Sequence, residues 1–126
     1  MEYQEFIDYI GTLDFAGDHQ TSDAMIKAVL GILFSSVDEP AAEHLAEHLP
    51  EPLTVENLRS RQVRKNAPSF NDYVQEIRQQ FGLSDDEAFE LIDSVVRVTR
   101  EAAGQYAWSR FVEQLPAELG QAIQKP

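Results

Sequence analysis

A chain of 126 residues, 43% of them hydrophobic, is long enough to bury one ordinary core, and we expect a single domain over residues 1–126. It contains no cysteine, which excludes disulfides, thiolate metal ligands and cysteine nucleophiles. The formal net charge of -12 disfavours nucleic-acid binding, because a basic surface is needed to neutralise phosphates.

The same sequence predicts a cytoplasmic protein. Its first residues, MEYQEFIDYI, lack the basic and apolar regions of a secretory signal. The longest uncharged apolar run, residues 28–34, is far shorter than the roughly 20 residues that cross a bilayer, so we expect no membrane span. No glycine-rich phosphate loop or nucleophile motif occurs, and we expect no cofactor.

Four helices are predicted in the first half of the chain. Residues 2–11 carry an amphipathic stripe that ends at Gly11. Residues 24–37 are apolar on every side, which indicates a buried helix, with Asp18 or Thr21 as its cap. Asp38 and Pro40 begin a third helix, and residues 54–65 form a fourth.

The second half begins with two capping patterns. Ser69 with Asp72, and Ser84 with Glu87, place a hydroxyl and a carboxylate three residues apart, as in a capping box. We expect a long helix over residues 85–103, then a helix over 107–115 and a last short one after Pro116. The predicted inner face of the long helix consists of Ala88, Leu91, Ile92, Val95, Thr99 and Ala102. Buried positions are expected at Leu49, Leu115, Tyr106 and Trp108.

A shift of 66 residues superimposes the two halves. It places Phe15, Ile26, Val29 and Ala41 on the identical residues Phe81, Ile92, Val95 and Ala107. This pattern predicts tandem four-helix repeats over about 1–57 and about 69–126, joined by a basic linker helix over about 54–68. We therefore expect an all-α, single compact bundle of about eight helices in which the repeats share one core about a pseudo-two-fold axis.

The repeated arrangement resembles a known family. An aromatic opening helix (YQEFIDYI, SFNDYVQEI) and a short helix closing in Leu-Pro (AEHLAEHLPEPL, SRFVEQLPAEL) occur twice, with a long apolar helix between them. In this the chain is similar to the bacterial domain of unknown function 2267 family. The resemblance implies an all-helical bacterial protein without an established activity or catalytic residues.

One pattern suggests metal chemistry. His44, Glu47 and His48 match H-x-x-E-H, in which two imidazoles hold zinc and the glutamate activates water. Their repeat counterparts include Arg110 and Gln114, which are ordinary solvent-facing residues. We interpret the histidines as surface residues, with a small metal-dependent hydrolase as the alternative.

A cluster of basic residues separates the acidic halves. Two interpretations stay open: the cluster neutralises the acidic repeats, or it is a docking strip for an acidic protein or a phosphate group. The cluster consists of Arg59, Arg61, Arg64 and Lys65.

One face of the first long helix differs from its counterpart. Charged or polar residues on the second copy, such as Glu90, Arg97 and Arg100, are replaced by small or apolar ones. We predict that this face packs against the linker helix or against another chain. It consists of Ala24, Ala28, Gly31, Phe34 and Ser35. The predicted function is a non-enzymatic module that binds a protein partner or forms a homodimer.

Overall fold

The computed structural model describes residues 1–59 and 69–124. In these two ranges it contains eight α-helices and no β-strand, which confirms the predicted all-α fold. The helices are α1 (Tyr3–Ile10), α2 (His19–Phe34), α3 (Glu39–Ala46), α4 (Val55–Arg59), α5 (Phe70–Phe81), α6 (Asp85–Ala103), α7 (Gln105–Gln114) and α8 (Ala117–Gln124).

The helices begin at the predicted caps. Asp18 accepts a hydrogen bond from the backbone N–H of Thr21 at 2.9 Å, and Asp38 and Ser69 cap α3 and α5 in the same way. Ser84 forms a complete capping box with Glu87. Each cap satisfies an N–H group that has no partner within the helix, which fixes where the helix begins.

The core is built around α2 and α6. Every residue of α2 from Met25 to Phe34 is buried except the half-buried Lys27, which confirms the predicted buried helix. The two long helices pack against each other, and α1 and α5 each pack against both. Helix α6 is amphipathic, with Ala88, Leu91, Ile92, Val95 and Thr99 inward as predicted.

Two pairs of helices keep the same spacing along the chain. Helices α2 and α6 begin 66 residues apart, and so do α3 and α7, which pack against each other. These offsets equal the shift that aligns the sequence of the two halves. The division into repeats and the pseudo-two-fold axis stay predictions.

The fourth helix of each half packs differently. Helix α4 lies on α2 and α3, whereas α8 packs mainly on α7 and α5. The described part of α4 ends at Arg59, so the rest of the predicted linker helix lies outside the described residues. Within the described parts of the chain, helix α8 has no packing on α6 comparable to that of α4 on α2.

One predicted core position is wrong, and a second is only half buried. Trp108 and Leu115 are buried as expected, but Tyr106 is 71% exposed. Tyr106 stands two residues before Trp108, about 200° around a helix, so it points away from the core when Trp108 points inward. Leu49 lies in the turn after α3 and is half buried at the edge of the core.

Candidate interaction groove

The predicted face of α2 is covered by the protein itself. Ala28, Gly31, Phe34 and Ser35 are all buried, and only Ala24 is exposed. Helix α4 packs on α2, with Leu58 only 1% exposed, and the covering of this face by the linker helix stays a prediction. The ring of Phe34 lies 5.7 Å from that of Phe111 in α7. This conformation therefore presents little of the face to another chain.

The two histidines of the H-x-x-E-H pattern are neighbours on the surface. Helix α3 ends at Ala46, and His44, Glu47 and His48 are exposed, with the two imidazole rings 5.8 Å apart. Among the described residues no group of three or more His, Cys, Asp or Glu side chains could hold a metal ion. His44 instead lines a cleft with Arg110, whose positive charge opposes cation binding.

The predicted basic strip falls almost wholly outside the described residues. Arg61, Arg64 and Lys65 belong to the range between the two described parts, and Arg59 is the last residue of α4. Its proposed role as a docking strip stays a prediction.

An apolar groove lies between α6, α8 and the start of α5. Its volume is about 370 Å³. The residues that line it are Phe70, Phe89, Ile92, Asp93, Val96, Ala122 and Ile123. Asp93 is the single ionisable side chain in this lining, and its carboxylate is 3.2 Å from the guanidinium of Arg97. The groove therefore offers apolar contact and one carboxylate.

A row of three aromatic rings in contact leads from the groove into the core. Phe89 is 53% exposed and packs edge to face on Phe70, with ring centroids 5.8 Å apart. Phe70 packs in the same way on Tyr73 at 6.4 Å. The buried hydroxyl of Tyr73 donates to the carbonyl of Val29 in α2 at 2.8 Å. The exposed ring is thus connected to the core through two further aromatic rings.

Carboxylates stand close to the aromatic pair. Asp86 and Asp93 lie about one turn before and after Phe89 on α6. In α8, the carboxylate of Glu118 accepts a hydrogen bond from the backbone N–H of Phe70 at 3.3 Å. This end of the groove therefore combines an exposed aromatic ring with negative charge.

The corresponding place in the first half is polar. Sixty-six residues before Phe89 and Asp93 stand Asp23 and Lys27, which form an ion pair at 3.1 Å. The hydroxyl of Tyr3 donates to Asp23. Burial of Tyr3, and then its hydrogen bond to Asp23, raise the pKa of the phenol above its ordinary value. At this place the first half thus has three polar side chains that bind one another, whereas the second half has an exposed aromatic ring.

Sequence reasoning missed the groove. It treated the outward face of α6 as solvated, and its predicted inner face did not include Phe89. A large apolar residue outside the apolar stripe of an amphipathic helix was the available signal. The position of α8, which forms the other wall, depends on packing distant in sequence.

Comparison with known proteins identifies the family. A family model described as an uncharacterized conserved protein, DUF2267, matches residues 3–122. The chain belongs to this family. This confirms the predicted resemblance, and the family description attaches no activity to any residue. No curated protein and no solved structure matches the chain.

The helices also bear on the membrane prediction. Within the two described ranges, none is both long enough and apolar enough to cross a membrane.

Proposed function

We propose that this protein is a non-enzymatic interaction module whose groove between α5, α6 and α8 binds a helical segment of another protein. The observation that carries the proposal is the half-exposed ring of Phe89 at the edge of an apolar groove. A hydrophobic groove that receives the apolar face of an amphipathic helix is a recurring form of peptide-binding site.

A helix is the occupant that the fold itself favours. In the first half, α4 packs against α2 and buries Leu58. In the second half, α8 packs mainly on α7 and α5, and the groove lies between α8 and α6. A partner helix laid in this groove would bury the apolar side chains of α6 and α8 that line it.

Charge argues against a second copy of this chain as the occupant. The net charge of -12 makes two copies repel each other, and the carboxylates near Phe89 would meet an acidic surface. We therefore propose a different protein as the partner, and self-association is the alternative that the test must exclude.

The test uses a neutral helical peptide as the probe. It is a labelled 16-residue peptide with leucine on one face and glutamine and alanine on the other, and fluorescence anisotropy measures its affinity. Phe89→Ser should weaken binding at least about tenfold, because burial of the exposed half of the ring is lost. Tyr106→Ser is the matched control, because it removes another exposed aromatic ring, on α7, and should leave the affinity unchanged.

Two results would contradict the proposal. Equal affinities for the wild type and Phe89→Ser would place any binding outside the groove. A dimer in analytical ultracentrifugation that Phe89→Ser converts to a monomer would show that a second copy occupies the groove.

A further inference from the structure

The surroundings of Phe89 also specify the charge of the partner. We infer that the helix bound in the groove is basic and places a lysine or arginine beside Phe89. This inference rests on the proposed function and adds the chemical class of the partner to it.

Negative charge at the aromatic end of the groove is the first reason. Asp93 lines the groove, Asp86 lies about one turn before Phe89 on α6, and the carboxylate of Glu118 in α8 accepts a hydrogen bond from the backbone N–H of Phe70. Residues 69–124 as a whole carry ten acidic and four basic side chains. A cation at this end of the groove would therefore meet a favourable potential.

The exposed ring is the second reason. The face of an aromatic ring carries a partial negative charge and attracts an ammonium or guanidinium group. Because Phe89 is held edge to face by Phe70, its exposed side is already fixed when the partner arrives. An aromatic ring flanked by carboxylates favours a basic side chain over a neutral one.

The basic residues of α6 stand towards its other end. Arg97 forms an ion pair with Asp93 at 3.2 Å, in which Arg97 is exposed and Asp93 is partly exposed. Arg100 lies eleven residues after Phe89, or roughly 16 Å along the helix axis. An exposed ion pair contributes little to stability, so a cation from the partner can replace Arg97 beside Asp93.

Three peptides with the same leucine face test the inference. Their flanking positions carry lysine, glutamine or glutamate, and anisotropy measures their affinities at low and high salt. We expect the lysine peptide to bind about tenfold more tightly than the glutamate peptide, as two or three exposed ion pairs would give. The difference should shrink in about 1 M salt, where the screening length is about 3 Å.

A matched pair of variants tests whether the preference for the lysine peptide arises at Asp93. Arg97→Gln releases Asp93 and should tighten binding of the lysine peptide about twofold to threefold without affecting the glutamine peptide. Arg110→Gln changes the net charge equally, but it lies on α7 beside Tyr106 and should leave both affinities unchanged.

The outcomes separate this inference from the proposed function. Equal affinities for the three peptides, all reduced by Phe89→Ser, would overturn the inference and leave the binding module standing. Absence of binding by any peptide would overturn both. Salt-sensitive binding of the lysine peptide that Phe89→Ser does not reduce would be non-specific attraction and would also overturn the inference.

Discussion

At the scale of single residues, the ring of Phe89 is held by its neighbours. Its ring packs on Phe70, which packs on the buried Tyr73, whose hydroxyl is tied to α2. A side chain already held in one orientation loses little conformational entropy when a partner covers it. Such preorganisation would favour Phe89 as the anchor of the proposed partner helix.

The cap at Asp18 predicts a pH dependence of stability. Its hydrogen bond from the backbone N–H of Thr21 holds the pKa of the Asp18 carboxyl below its ordinary value of 3.8. A lowered pKa in the folded state means that the stabilisation is complete above 3.8 and is lost as the pH falls through the lowered value. Urea denaturation should therefore show a smaller loss of stability on acidification for Asp18→Asn than for the wild type.

Asn is the matched replacement because it caps a helix without titrating. An identical pH dependence of the wild type and the variant would show that this hydrogen bond does not favour the ionised carboxylate of Asp18.

At the scale of helices, α2 shows how position along one face decides the effect of a substitution. Ala24 and Ala28 are one turn apart, but Ala24 is exposed and Ala28 is 5% exposed. The same change at these two positions therefore tests whether the protein itself covers the face.

We expect Ala28→Arg to destabilise the protein by at least about 3 kcal/mol, because it places an unpaired charge in the core. Ala24→Arg should change the free energy of unfolding by no more than about 0.5 kcal/mol. Urea denaturation measures both. A stable Ala28→Arg variant with reduced mass in solution would instead show that this face is an interface between chains.

The helices themselves could be predicted from sequence because their signals are local. Asp18, Asp38 and Ser84 cap the helices at the predicted places, and Gly82 ends α5 with a positive φ of 65°. The groove could not be predicted, because it depends on where α8 packs relative to α6. Tyr106 is exposed because it lies on the opposite side of α7 from the buried Trp108. The prediction that Tyr106 is buried did not take this spacing into account.

At the scale of the whole molecule, the two halves differ in what lies on their long helices, α2 and α6. In the first half α4 lies on α2, and Asp23 and Lys27 form a closed polar cluster. In the second half the corresponding residues, Phe89 and Asp93, border an open groove. For each residue of α6 that lines the groove, the residue 66 positions earlier in α2 can therefore serve as a control in the same molecule.

Methyl NMR during titration with the lysine peptide tests the central claim, that the groove of the second half is the binding site. We predict shifts for the methyl groups of Ile92, Val96 and Ile123, which line the groove. The methyl groups of Ile26 and Leu30, which stand 66 residues before Ile92 and Val96, should remain unchanged. Shifts of equal size in both halves, or shifts confined to the first half, would contradict the account.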